Sequence, residues 1–404
     1  MHKTDRPDWA VLKEADLPLE VVILVIGGMA MLIAGVLLLP VADGTLPYYE
    51  NGFYGLLLII FALQMITLGK TPVGDMPRSK PVLAAGLIIA AVGIVTCFVP
   101  ISVHLPRLLL FLSFGPGGFL LLLQMCCAKD KLRSWSRSGV IFRHLIFGCA
   151  AVYLLSMFIA LLLWQRSLLT TAVGGVAVLV FGVAILYLAG VLRKIYRIYP
   201  EAETRPGGDV ELSTDQAMLL LTGVFMLLLG ALLVPVGLGL IPFSGSAQLG
   251  LLMVIFAVQM LASGSTPIGP FPRSWLVVAF GLLFAALGIV SCLIPQILVP
   301  VLTVLVGVLN ILGGVIALAK MRAARPGSAA GAREPVHPLL ARLFAAQLTM
   351  NLLSVMFGVS MLVPGIVPVP VVGVILAGNG CVLLYLLSIL VALDKIRGNM
   401  GSVT

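Results

Sequence analysis

The sequence carries very little charge for its length. Only 10% of its 404 residues are Asp, Glu, Lys or Arg, whereas 60% are hydrophobic and the mean hydropathy is +1.16. A water-soluble chain has about 25% charged residues, so this chain lacks the polar side chains that would cover a soluble fold. Long apolar runs without a Gly-X-Y period exclude collagen-like and disordered chains as well. The composition therefore predicts a membrane protein.

Cysteine and histidine are also scarce. The six cysteines lie in or at the ends of apolar runs without a C-x-x-C pair, which argues against a disulfide framework or a zinc knuckle. The four histidines fall in tails, loops or interfacial positions. Paired carboxylates, Ser–His pairs and His/Asp clusters are lacking at the predicted interfaces. We therefore expect no enzyme, no catalytic residues, no cofactor and no metal.

The apolar runs are long enough to cross a bilayer. A spanning helix needs about 20 mostly apolar residues, and a helix satisfies its own backbone polar groups in lipid. We predict an all-α polytopic membrane protein with twelve transmembrane helices. The predicted spans are 20–42, 49–69, 81–103, 106–128, 141–165, 168–192, 216–240, 246–264, 275–296, 298–319, 339–363 and 368–393.

The basic residues predict the orientation. With a cytoplasmic N-terminus, all of the 25 lysines and arginines except Arg107 and Arg166 fall on the cytoplasmic side. We therefore expect a multi-pass protein of the cell inner membrane with both termini cytoplasmic. Its partners would be the bilayer and anionic lipid headgroups at the cytoplasmic face. No basic, aromatic-rich soluble module is present, so nucleic acid is not an expected partner. A protein partner or a homo-oligomer stays open.

An internal duplication organises the chain. Residues 62–102 align without gaps to 257–297, an offset of 195, with 21 of 41 positions identical. Downstream the offset becomes 198, where LLS at 154–156 matches LLS at 352–354. Because six spans return the chain to its starting side, the two repeats should be parallel and related by an axis along the membrane normal.

These boundaries divide the chain into five segments. The predicted segments are a cytoplasmic tail 1–19, a first six-helix repeat 20–192, a cytoplasmic linker 193–215, a second six-helix repeat 216–393 and a cytoplasmic tail 394–404.

Helices 1, 3, 7 and 9 carry Gly-x6-Gly followed by proline. Seven residues nearly complete two helical turns, so both glycines of a pair share one face. Such a face lets a neighbouring helix approach closely in lipid; a substrate-lining role is the alternative. The motif residues are Gly28/Gly35/Pro40, Gly86/Gly93/Pro100, Gly223/Gly230/Pro235 and Gly281/Gly288/Pro295.

Helix hairpins with this glycine and proline spacing resemble the HdeD family of small bacterial inner-membrane proteins. The resemblance implies two fused six-span HdeD-like units over nearly the whole chain and a role in acid-stress resistance. The family supplies no catalytic residues. Helices 5 and 11 depart from the pattern, since neither carries the glycine pair.

The loop T-P-[VI]-G-x-x-P-R-S occurs at 71–79 and 266–274. Proline and glycine predict a tight turn, and Ser79 and Ser274 are placed to cap the next helix. Arg78 and Arg273 are candidate cytoplasmic contacts to lipid phosphate or to the other half, with gating or partner docking as the alternative role. The loop differs from the G-x-x-x-D-R-x-G-R-R loop of major-facilitator transporters in its spacing.

Three asparagines are the best candidates for a polar cavity. Asn310, Asn351 and Asn379 fall near the middles of helices 10, 11 and 12. Each could instead make one interhelical hydrogen bond. At the depth of Asn310, the run Gly115-Pro116-Gly117-Gly118 predicts a break in helix 4, a feature found at transporter sites.

No charged residue falls in the middle of a predicted span, which argues against ion-coupled transport. Two functions remain. The first is a non-catalytic, HdeD-like membrane protein in stress adaptation or as a scaffold for a partner. The second is a facilitative channel or transporter for a small neutral solute or lipid.

Overall fold

The computed structural model describes residues 15, 17–72, 74–100, 103–127, 140–165, 170–203, 212–323, 338–363 and 365–401. Within these ranges twelve helices are long and apolar enough to cross a membrane, which confirms the predicted all-α multi-pass membrane fold. The helices are α1 Leu19–Ala42, α2 Glu50–Leu68, α3 Lys80–Phe98, α4 His104–Cys127, α5 Val140–Trp164, α6 Thr171–Ile198, α7 Thr214–Gly237, α8 Gly245–Ser263, α9 Trp275–Leu293, α10 Val299–Ala323, α11 Pro338–Leu362 and α12 Val369–Gly401.

Three helices continue beyond the spans that hydropathy predicts, and the shortest extension takes α10 past 319 to Ala323. α6 extends past 192 to Ile198 before a 3-10 turn at Pro200–Glu203, and α12 extends past 393 to Gly401. Hydropathy detects only the apolar part of a helix, whereas polar residues at its end continue it until a breaker such as proline. Most of the predicted tail 1–19, the centre of the linker 193–215 and residues 402–404 lie outside the described residues.

Two short hairpins interrupt the helical chain. β1 (Lys70–Thr71) pairs antiparallel with β2 (Gly74–Asp75), and β3 (Ser265–Thr266) pairs with β4 (Gly269–Pro270). α2 and α8, which precede the hairpins, both end at a glycine in the left-handed region, Gly69 at φ 69° and Gly264 at φ 73°. A left-handed glycine stops a helix and turns the chain at low cost, so both hairpins start from the same geometry.

The two serines after the hairpins behave differently. The side chain of Ser274 accepts a hydrogen bond from the backbone N–H of Val277 and so caps α9, as predicted. Ser79 occupies the equivalent place before α3, but its side chain makes no capping hydrogen bond. Pro81, in the first turn of α3, has no N–H and presets a helical φ, so this helix start depends less on a cap.

The same helix pairs pack in both halves of the chain. In the first half α1 packs against α6, α2 against α3, and α4 against α5. In the second half α7 packs against α12, α8 against α9, and α10 against α11. Between the halves, α1 contacts α9 and α7 contacts α3. We call the contact between α1–α3 and α7–α9 the seam. The deeply buried α2 and α8 both contribute to it, since α2 contacts α9 and α8 contacts α1.

Glycine pairs seven residues apart hold α1 against α6. A Cβ at Gly182 would lie 2.9 Å from the carbonyl oxygen of Gly28, and a Cβ at Gly175 would lie 3.2 Å from that of Gly35. Side chains larger than hydrogen would push the helices apart, so the glycines form a packing face. The second half repeats the contacts between α7 and α12 with Gly223, Gly230, Gly373 and Gly380.

Candidate functional site

The T-P-[VI]-G-x-x-P-R-S loop forms the same tight hairpin in each half. Thr71 Oγ1 donates to the carbonyl oxygen of Gly74 at 2.8 Å, and Thr266 Oγ1 donates to that of Gly269 at 2.8 Å. A hydroxyl that satisfies the backbone of its own turn fixes the loop. Because the two hairpins have the same geometry, Arg78 and Arg273 follow them at equivalent positions in the two halves.

Both loop arginines reach the other half of the chain. Arg78 Nη1 donates to the carbonyl oxygen of Leu212 at 2.9 Å, and Arg273 Nη1 donates to that of Leu17 at 3.0 Å. Leu17 and Leu212 are 195 residues apart, as are the two arginines, so the contacts are reciprocal. The contact with the other half is therefore one of the two expected for these arginines, and the contact with lipid phosphate stays a prediction.

Arg273 makes the larger set of contacts. Its Nε donates to the carbonyl oxygen of Ala15 at 3.0 Å, and its Nη1 donates also to that of Ala262 at 2.9 Å. The backbone N–H of Ala15 in turn donates to the carbonyl oxygen of Arg273 at 2.6 Å. The guanidinium, with its fixed fork of donors, thereby ties the segment before α1 to the end of α8.

A second reciprocal pair closes the opposite end of the seam. The backbone N–H of Tyr49 donates to the carbonyl oxygen of Leu293 at 2.8 Å, and that of Ser244 donates to the carbonyl oxygen of Phe98 at 2.9 Å. Tyr49 and Ser244 are again 195 residues apart, as are Phe98 and Leu293. The two halves are therefore hydrogen-bonded to each other at both ends of the seam.

Between its two ends the seam is filled with apolar side chains. The ring of Phe98 packs against those of Phe225 and Phe243, each with centroids 5.8 Å apart. Cys97 and Cys292, equivalent positions of the two halves, are both fully buried. Across the described residues, the buried side chains include no Asp, Glu, Lys, Arg or His. In the described part of the seam, the fully buried side chains are therefore uncharged.

Asn310 makes an interhelical hydrogen bond. Ser354 Oγ of α11 donates to Asn310 Oδ1 at 3.0 Å, and Asn310 Nδ2 donates to the carbonyl oxygen of Val306 in its own helix at 2.9 Å. Both polar ends of the amide are satisfied by protein. Asn310 therefore fits the interhelical alternative better than a cavity wall.

The other two asparagines have different surroundings. Asn351 Nδ2 donates to Met321 Sδ at 3.4 Å, a weak acceptor. Asn379 is 9% exposed, and its Oδ1 is buried without a hydrogen-bond partner among the described residues. No hydrogen bond in the described part of the chain joins two of the three asparagines.

We expect opposite results for leucine replacements at two of these positions. Asn310→Leu removes a satisfied interhelical bond and should lower the free energy of unfolding by about 0.6–2 kcal/mol. Asn379→Leu removes a buried oxygen that has no donor among the described residues, so it should leave stability unchanged or raise it by about 1 kcal/mol. Reversible unfolding of both variants in mixed micelles checks this, and a destabilised Asn379→Leu variant would contradict it.

The predicted break in helix 4 is wrong. α4 runs unbroken from His104 to Cys127 through Gly115, Pro116, Gly117 and Gly118. Proline removes one backbone donor, but a transmembrane helix tolerates this when neighbouring groups support it. Pro116 leaves the carbonyl oxygen of Leu112 without its helical donor, and Ser156 Oγ of α5 donates to the nearby carbonyl oxygen of Phe114 at 3.1 Å, which ties this turn of α4 to α5.

The glycines of this run serve helix packing. A Cβ at Gly117 would lie 2.9 Å from Pro72 Cβ in the first hairpin, and a Cβ at Gly118 would lie 2.3 Å from Ser156 Oγ. Gly313 meets Pro267 in the same way, since a Cβ there would lie 2.0 Å from the carbonyl oxygen of Pro267. The glycines at 117 and 118 therefore let the first hairpin and α5 pack closely against α4.

A polar cluster at the start of α1 was not predicted from the sequence. Glu20 forms an ion pair with Lys70, and Tyr196 Oη donates to Glu20 Oε2 at 2.7 Å. The sequence showed only that Glu20 lies at a helix end; nothing in it linked residues 50 and 176 positions away. The cluster joins α1, the first hairpin and α6.

A groove of about 410 Å³ between α11 and α12 was also missed. It is lined by Arg342 and Ala345 of α11 and by Tyr385 of α12, among others. The sequence repeat contained one indication of a difference at this place, because Ala345 corresponds to Phe147 at the offset of 198. A comparison of the two halves position by position would have found this replacement, although not the groove beside it.

In the described ranges no three His, Cys, Asp or Glu side chains lie together in a way that could hold a metal ion. The structural features that could serve a function are the seam, the glycine faces, the Glu20 cluster and the groove. Comparison with protein-family models, curated proteins and solved structures finds no match. The HdeD resemblance therefore stays a prediction made from glycine and proline spacing.

Proposed function

We propose that this membrane protein is a non-catalytic, rigid scaffold of the inner membrane, HdeD-like in its role in stress adaptation or in holding a partner. The observation that carries the proposal is the reciprocal bonding at both ends of the seam. Arg78 and Arg273 bind carbonyl groups of the opposite half at one end, and Tyr49 and Ser244 do so at the other.

A transporter built from two halves works by opening one side of the interface while the other side closes. Here such a motion would break the arginine contacts or the backbone contacts at each step. Hydrogen bonds from a charged donor contribute about 1.5–3 kcal/mol each, and the broken acceptors would be left in or near lipid. This hydrogen bonding fits two halves in a fixed arrangement better than two halves that rock against each other.

One observation favours the alternative, a facilitative channel or transporter for a small neutral solute or lipid without ion coupling. The buried Oδ1 of Asn379 has no partner among the described residues, and a solute with a hydroxyl or amide donor would satisfy it. This position therefore discriminates between the two functions.

The experiment compares the full chain and its Asn379→Leu variant in two assays. In liposomes, a panel of neutral solutes should cross no faster than in empty vesicles with either protein. In cells that lack the chain, both proteins should restore acid survival equally. Faster flux that disappears in Asn379→Leu would replace the scaffold with the transporter. Equal acid survival with and without the chain would remove the stress role.

A further inference from the structure

The groove between α11 and α12 is open on the outside of the helix pair. Ala345 and Thr349 line it from α11, and Cys381 and Tyr385 line it from α12. Arg342 lies at the end nearest the start of α11. The volume of about 410 Å³ is of the size of a small-molecule site. Tyr385 remains 46% exposed, so these two helices do not cover it.

An aromatic ring occupies the equivalent place in the first half. At the offset of 198, Ala345 corresponds to Phe147 and Tyr385 to Tyr187. The ring of Phe147 packs edge-on against that of Tyr187 with centroids 6.1 Å apart, and His144 Nδ1 lies 2.7 Å from Tyr187 Oη. The second half keeps the tyrosine and replaces the ring that packs on it with a methyl group.

The chemistry of the lining points to one kind of occupant. No acidic residue lines the groove, and its one ionised side chain is Arg342, which takes the place of His144. Arg342 lies one turn inside α11, about 6 Å from its start at Pro338. That depth is where lipid phosphates meet a helix end, while the remaining wall faces acyl chains.

We propose that this groove binds one anionic phospholipid. Its phosphate accepts hydrogen bonds from the Arg342 guanidinium, and one acyl chain lies along Ala345 where Phe147 would project in the first half. Charge complementarity selects the headgroup, because an exposed arginine without a carboxylate beside it in the lining attracts phosphate. This inference does not depend on the proposed scaffold function.

Cys381 provides a probe inside the groove. The full chain in maltoside micelles is titrated with phosphatidylglycerol or with phosphatidylcholine of the same acyl chains. Retained lipid is counted by native mass spectrometry, and alkylation by N-ethylmaleimide is followed peptide by peptide. Phosphatidylglycerol should remain bound and slow the alkylation of Cys381, whereas the exposed Cys126 serves as an internal reference.

Three variants make the test specific. Arg342→Gln should weaken phosphatidylglycerol binding about fivefold, the effect of one basic residue at a membrane surface. Ala345→Phe should abolish retention by restoring the ring of the first half. Leu348→Phe, on the lipid-exposed part of the same helix but outside the lining, should bind as the wild type does.

Equal retention of the two lipids would overturn the proposal, as would Ala345→Phe that binds phosphatidylglycerol like the wild type. Dimers that disappear in Ala345→Phe would identify a second copy of the chain as the occupant and would overturn it too. Because Ala345 is exposed, its replacement leaves the packed helix faces intact.

Discussion

Replacing Gly230 with alanine should lower the free energy of unfolding by about 2–3 kcal/mol. A Cβ at this position would lie 2.3 Å from the backbone nitrogen of Ala377 and 2.4 Å from the carbonyl oxygen of Gly373. Both atoms belong to the backbone of α12 and cannot turn aside as a side chain would. The variant must separate α7 from α12 along their contact, which loses packing on both helices.

Gly35→Ala tests the same contact in the first half. A Cβ there would lie 2.5 Å from the backbone nitrogen of Leu179 in α6, so we expect a loss of similar size. Gly190→Ala is the matched control, because nothing lies within 4 Å of its Cβ position inside α6. Reversible unfolding of the three variants in mixed micelles measures the difference. The packing interpretation is wrong if Gly190→Ala costs as much as the other two.

Arg273→Ala should produce the second large effect, a loss of about 3 kcal/mol, because hydrogen bonds to charged groups contribute about 1.5–3 kcal/mol each. Three carbonyl oxygens, those of Ala15, Leu17 and Ala262, would lose their donor at once. Arg273→Lys should recover only part of the loss, because a single ammonium group cannot reproduce the planar fork. The measurement is again the free energy of unfolding in micelles.

Arg197→Ala provides the control for charge alone. Arg197 is exposed near the end of α6, and surface substitutions usually change stability by less than about 0.5 kcal/mol. Arg273→Ala should also speed proteolysis ahead of α1, since that segment loses the side-chain hydrogen bonds that the carbonyl oxygens of Ala15 and Leu17 accept. Unchanged stability in Arg273→Ala would show that the seam does not depend on this residue.

Local properties made the helices predictable. A bilayer of fixed thickness requires a run of about 20 apolar residues for each span, and such a run is visible without knowledge of any partner. The glycine faces were predictable for the same reason, since seven-residue spacing fixes which residues share a helix face. Gly175 and Gly182 on α6 were overlooked, although they have the same spacing.

The helix 4 prediction failed because it treated Gly115–Gly118 as an isolated segment. Glycine and proline weaken a helix alone, but Ser156 and Pro72 support α4 from two sides. The asparagine site was predicted from depth in the membrane only. The depth of a residue in the membrane does not specify the direction in which its side chain points around the helix axis. In the structure that direction brings Asn310 to Ser354 and not to another asparagine.

By itself the sequence determined that the chain has twelve helices long and apolar enough to span a membrane and that its two halves share a repeated sequence. Composition, run length and residue identity suffice for both conclusions. Only the tertiary structure decided that the copies bind each other reciprocally and that one groove opens in the second half. The acceptors of Arg78 and Arg273 are backbone carbonyl groups, which every residue carries, so no residue type marks them. The replacement of Phe147 by Ala345 marks a smaller side chain in the second repeat, but only the packing of α11 against α12 makes that position part of a groove.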